Sequence, residues 1–225
     1  MTERPSPALF AFPPQARVAR VVPKSKIFQH GGVSKALRAC FARQVAQITW
    51  QYKLAPTTIN LPARAGIEEI EVFDIALKAE TLDEAVLRAI DRAIPLPIVF
   101  QLHHGSRTRM VAAHKRPSAA RAGQWVIDDY FGGDWLSADA PRHALPVALD
   151  LHGLYEQLLR SVLPLPPRPG ERLPDQLARL ARLRNHQHEH DKLEAHLQRE
   201  KQFNRKVALN AQLRDLKDEI DRLSA

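Results

Sequence analysis

Cysteine occurs once in the 225 residues, at Cys40. A single thiol excludes an intrachain disulfide and a Cys-rich zinc site, and it fits a reducing compartment. Cys40 stands among Val33, Leu37, Phe41 and Val45 and reads as a small core residue. No apolar run approaches the ~18 residues of a membrane span. The opening MTERPSPALFAFPPQ lacks a basic stretch followed by an apolar core, so it is not read as a signal peptide. The expected location is the cytoplasm, with no membrane partner. G-x-x-x-x-G-K-[ST] and G-x-G-x-x-G are both missing, which removes a P-loop and a Rossmann phosphate site. H-E-x-x-H is missing too. No G-x-S-x-G frames Ser106, although His103 and His104 lie beside it. After Pro174 there is neither glycine nor proline.

What is present describes a folded, basic chain. The length allows one well-buried core plus an appendage, or two small domains. A net charge of +8 favours polyanionic partners: DNA, RNA or acidic proteins. An Arg-rich composition gives the same balance without any such role.

Residues 1–16 carry Pro5, Pro7, Pro13 and Pro14 and read as an extended arm, with Leu9, Phe10 and Phe12 as anchors. RVARVVPKSKIFQH reads as a short extended piece. SKALRACFARQVAQITW places Leu37, Phe41, Val45 and Ile48 on one helical face of about four turns, capped by Ser34. KLAPTTINLP reads as a connector. IEEIEVFDIALK alternates as a strand, with a one-residue slip that a bulge at Val72–Phe73 would absorb. TLDEAVLRAIDRAIP reads as a helix opened by a Thr81–Glu84 capping box and stopped at Pro95. A hairpin turning at Gly105 follows, then a strand ending at Gly132–Gly133, then a helix from Asp150. The first two of these strands, joined by a helix, are expected to be parallel and the rest antiparallel. The expected fold is α+β: a mixed, mainly antiparallel sheet with packed helices over 17–163, a Pro-rich linker over 164–174, and a long helical coiled-coil tail over 175–225.

In the tail, Leu209, Leu213, Leu216, Ile220 and Leu223 form a heptad seam. Leu193 and Leu209 are sixteen positions apart, two more than two heptads, so the earlier and later stripes face nearly opposite ways. The switch falls in REKQFNRKVALNAQLR, residues 199–214. A single long helix of roughly 75 Å is preferred over a hairpin, because nothing there resembles a turn. Such a helix needs a second copy or a foreign helix. Phe203, Asn204 and Val207 join the seam residues as candidate interaction positions.

No catalytic residue is singled out, and no cofactor or metal is expected. His186 and His190 share a helical face at i, i+4, but a solvated face is the preferred reading of RNHQHEHDKLEAH. A Mg²⁺-dependent nuclease needs two acids and a lysine, and EVFDIALK offers Asp74 and Lys78 with Ala76 where the second acid belongs. Lys24, Lys26, Lys53, Lys115, Tyr130 and Trp135 are the candidate contacts to nucleic acid or a partner, lysines for phosphates and aromatics for bases.

KSKIF, ITWQYKLAPTTINL, IEEIEVFDIALK, AIPLPIVFQL, VAAHK, YFGGDW, LDLHGLYEQLLRSVLP and EKQFNRKVALNAQLRDLKDEI follow in order. Together they resemble domain of unknown function 4391 from about residue 17 to 223. The resemblance implies a bacterial cytoplasmic protein encoded near DNA methyltransferases and helicases of restriction or phage-defence type. It supplies no active site. The expected function is a non-enzymatic accessory or adaptor subunit of such a system, with a tail for self-association or docking. The alternatives are a divergent nuclease and a purely structural coiled-coil adaptor that binds no nucleic acid.

Overall fold

The computed structural model describes residues 9–118 and 125–225. The chain divides into two compact units that meet between Pro164 and Leu165.

The larger unit is a sheet with helices. β1 (Leu9–Ala11) leads to β2 (Arg17–Val21), followed by α1 (Lys24–His30) and α2 (Lys35–Gln44). β3 (Val45–Leu54), the short α3 (Pro56–Ile59), β4 (Ile70–Leu77) and α4 (Glu84–Ala93) come next. β5 (Ile98–His104), β6 (Arg107–Pro117) and β7 (Trp125–Gly132) continue the sheet, and β8 (Leu136–Ser137), β9 (Arg142–Ala144) and α5 (Leu151–Arg160) complete the unit. The strand order is β2-β3-β4-β5-β6-β7, with β8 added to β6. Within this sheet only β4 and β5 run parallel. They are the two strands joined through α4, as a helical crossover requires. β1 pairs in parallel with β9 as a separate ribbon. The fold class is α+β with a mixed, mainly antiparallel sheet, as the sequence predicts.

Both faces of the central strands are covered. Phe73, Ile75, Phe100 and Leu102 pack with Phe41, Ile48, Val86 and Ile90 of the helical layer and β3. Val72, Val99 and Ala112 alternate with that set and are also fully buried. On α5, Tyr155 donates to the carbonyl of Ala113 in β6 at 2.5 Å. Two-sided burial explains the slip in IEEIEVFDIALK without a bulge in β4, whose pairing with β5 is regular. The irregularity lies instead across from Val72 and Phe73, between Trp50 and Tyr52 of β3.

Three other local expectations change. The helix predicted over 34–50 stops at Gln44, and the chain continues as β3. Leu37, Phe41, Val45 and Ile48 do serve one core, but by a helix turning into a strand; Val45, Ile48, Thr49, Trp50 and Tyr52 are strand formers. KSKIFQH is helix α1 and not extended. The cap of α4 is Asp83, whose carboxylate accepts from the Ala85 amide at 2.9 Å, while Glu84 pairs with Arg88. Asp150 caps α5 as predicted, accepting from the Gly153 amide at 2.8 Å. Leu9, Phe10 and Phe12 are buried.

The smaller unit is a helical hairpin. α6 (Leu173–Arg199) and α7 (Phe203–Ser224) pack against each other in opposite directions. At one end Arg179 of α6 donates to the carbonyl of Leu223 at 2.7 Å. At the other, three residues reverse the chain. The Glu200 carboxylate accepts from the amides of Lys201 and Gln202 at 2.7 and 2.8 Å, an acidic side chain doing what a Gly or Pro turn usually does. The preferred continuous helix is therefore replaced by the hairpin. The two stripes face opposite ways in sequence because each faces the other helix.

Candidate nucleic-acid interface

The six predicted contact residues scatter over the body and mostly serve the fold. Lys115 is 3% exposed. Its ammonium donates to the carboxylate of Asp91 at 3.0 Å and to the carbonyls of Asp91, Ile94 and Leu96 at 3.2, 3.0 and 2.6 Å. The Tyr130 hydroxyl donates to the same carboxylate. Lys115 and Tyr130 thus clamp the C-terminal end of α4 onto the sheet, and a phosphate cannot reach that ammonium. Lys53 holds Glu69 at 2.6 Å. Lys24 donates to the carbonyls of Phe41 and Val45 at 3.3 and 2.5 Å, closing the end of α2. Burial, with Lys78 beside it, holds Lys24 below its ordinary pKa. Trp135 lies under two guanidiniums, Arg107 at 5.7 Å and Arg109 at 5.2 Å. Only Lys26 is fully on the surface.

The signal that was missed is an absence. From Arg4 to Ile67 the chain has no Asp or Glu, yet it carries ten Lys and Arg. Arg17 and Arg20 lie on edge strand β2, Lys26 on α1, and Lys35, Arg38 and Arg43 on α2. All six are exposed, and none has an ion-pair partner among the described residues. Arg38 lies 5.3 Å from the Phe28 ring centroid, and Phe28 in turn meets Phe41 edge-on at 5.2 Å. Packing thus fixes α1 against α2. A cation with no acid near it retains its full attraction for a phosphate.

Other polar groupings do less. Asp74 accepts from Gln101 at 2.8 Å, and Arg142 donates to Gln101 at 2.9 Å and to the Phe10 carbonyl at 3.2 Å. This network holds the β1–β9 ribbon on the sheet. It contains one carboxylate, and Lys78 is engaged on the Ala42 carbonyl at 2.7 Å, so the nuclease arrangement does not assemble. An open cleft of about 590 Å³ between Arg64, Val147, Leu149 and His152 contains Asp150, already used as the α5 cap and by Arg64 at 3.1 Å. Glu71 is buried against the indole N–H of Trp50, which donates to it. Burial, reinforced by Glu69, pushes its carboxyl up to about 7.

In the hairpin, Leu209 and Leu223 are buried and Leu213, Leu216 and Ile220 half-buried, all toward α6. Phe203, Asn204 and Val207 are exposed, Phe203 at 77% and Val207 at 54%. His186 and His190 are half-buried, on the side of α6 that also buries Leu180 and Leu183. They belong to the intramolecular seam and not to the solvated face expected for them. His190, Asp191 and Glu194 approach within 4.8 Å of one another, and both carboxylates are exposed to solvent. At the base, Arg179 makes a bidentate pair with Glu171, both contacts at 2.8 Å, and holds its carboxyl down at about 2.

Among the described residues no helix is long and apolar enough to cross a membrane. No curated protein and no solved structure matches this chain. One family model does, over residues 10–220, and it spans the sheet, the unpaired basic segment and nearly all of the hairpin. The chain belongs to the family described as domain of unknown function DUF4391.

Proposed function

We propose that this protein is a non-enzymatic accessory subunit that binds nucleic acid through its body and docks on a larger protein through its helical hairpin. The observation that carries this reading is the acid-free segment with six exposed, unpaired cations: Arg17, Arg20, Lys26, Lys35, Arg38 and Arg43. Nothing in the fold calls for such a concentration of like charge, which costs self-repulsion without a polyanion to neutralise it. The exposed Phe203 and Val207, one helical turn apart, support the docking role of the hairpin. In this reading the larger protein is part of a bacterial DNA-modification or phage-defence system.

Fluorescence anisotropy of labelled DNA and RNA tests the binding half. Six phosphate contacts imply a loss of about a thousandfold in affinity between about 50 and about 200 mM salt. Absence of binding at the lower salt would leave only the structural-adaptor role. Pull-down by a Phe203→Asp, Val207→Asp variant tests the docking half, with capture of the natural partner expected to fail.

A further inference from the structure

The basic segment has a defined shape as well as a charge. α1 ends at His30 and α2 begins at Lys35, so four residues turn the chain between them. A side chain at Gly31 would place its Cβ 2.6 Å from the Ala89 carbonyl oxygen of α4 and 2.8 Å from that of Ile27. Glycine is therefore required for the corner to sit on α4. Gly32, at φ 62°, completes the turn, and Val33 is buried beneath it. Ser34 then caps α2, accepting from the Leu37 amide at 3.2 Å. The corner is locked from below by α4, from the side by the Phe28–Phe41 contact, and at the far end of α2 by Lys24.

This support leaves α2 largely outside the core. Of its ten residues only Phe41 is buried. At about 100° per residue, Lys35, Ala36, Ala39 and Arg43 lie on the side away from Phe41. All four are exposed. Lys35 and Arg43 are separated by about 12 Å along the axis, with only alanines between them on that side. A helix is about 10–12 Å across, and the major groove of B-DNA is about 12 Å wide and about 8.5 Å deep. The major groove of A-form RNA is too narrow to admit side chains.

We propose that α1, the Gly31–Ser34 turn and α2 form a helix-turn-helix unit that seats α2 in the major groove of double-stranded DNA. The inference rests on the nucleic-acid reading above and narrows it to one form of nucleic acid. Lys35 and Arg43 reach the phosphates on the groove walls, and the alanine side lies against the base edges. Alanine offers no hydrogen bond to a base and contacts only the thymine methyl, so sequence selectivity is small.

The full-length chain is titrated at one low salt concentration with equal lengths of DNA duplex, RNA duplex and single-stranded DNA. Wild type and Ala39→Trp are compared, the latter bulky and uncharged on an exposed site. The expected result is DNA duplex binding at least about ten times tighter than either other form, because only its groove admits the helix. Ala39→Trp should abolish that preference while leaving the weaker binding and the melting temperature in place. Equal binding of all three forms, or unchanged duplex affinity in Ala39→Trp, overturns the groove seating and leaves the nucleic-acid reading standing. Failure of the wild type to bind any of the three overturns both.

Discussion

Two stretches of this chain are rich in cations and treat them in opposite ways. Residues 165–225 carry thirteen Lys and Arg against ten Asp and Glu, and the charges are matched: Arg172 with Asp175, Arg179 with Glu171, Arg222 with Glu219. Residues 4–67 carry ten against none. In the first, cations find acids a few residues away; in the second, Lys53 and Arg64 reach acids beyond the stretch, and Arg17, Arg20, Lys26, Lys35, Arg38 and Arg43 have no ion-pair partner among the described residues. The lesson is that a net charge of +8 does not locate a polyanion site, whereas pairing does. Buried Lys115 and exposed Lys35 count equally in the sum and have different roles.

Substitutions can sharpen that contrast, beginning with the largest effect. Lys115→Met removes the partner of a fully buried carboxylate, and the expected loss is about 3–5 kcal/mol in denaturant unfolding. Retention of wild-type stability would mean that the Asp91 clamp is not structural. Leu209→Ala, in the hairpin seam, should cost about 2–4 kcal/mol, whereas Asn204→Leu should leave unfolding unchanged. A reversed ranking would place the interaction surface between copies instead of within one chain.

Glu71 gives a pH test. Its folded pKa of about 7 lies above its ordinary value of 4.5, so the folded state binds the extra proton between those values. Its contribution is fully present below about pH 4.5 and is lost as pH rises through about 7, up to about 3 kcal/mol. Glu71→Gln should therefore gain stability relative to wild type at pH 8 and little at pH 4. An equal difference at both would remove the titration from the account. Last, Lys35→Gln, Arg38→Gln and Arg43→Gln should each change stability by no more than about 0.5 kcal/mol, since these side chains form no ion pairs among the described residues. A large loss would show that the basic face has a structural role after all.

Much of the sheet was legible in the sequence. β4 follows from its apolar content, the β5–β6 hairpin from Gly105, and α5 from Asp150 and its leucines. β3 was hidden because Val45 and Ile48 extend the helical spacing of Leu37 and Phe41 into the same core, so periodicity alone reads one element where there are two. The hairpin turn was hidden because Glu200, Lys201 and Gln202 include no turn residue, and only the sixteen-residue offset between Leu193 and Leu209 marks it. The candidate site was readable by a different count. Lysines near aromatics include Lys115 and Lys53, whose partners Asp91 and Glu69 lie far away in sequence. The missing acids between Arg4 and Ile67 point to Lys35, Arg38 and Arg43 directly.

The central claim is that the unpaired cations of residues 17–43 form the binding face. The most direct test is the slope of log affinity against log salt for duplex DNA, wild type against the triple Lys35→Gln, Arg38→Gln, Arg43→Gln variant. Six contacts predict a wild-type slope of about −5, falling in magnitude to about −3 when three are removed. A slope that the triple variant leaves unchanged would contradict the account.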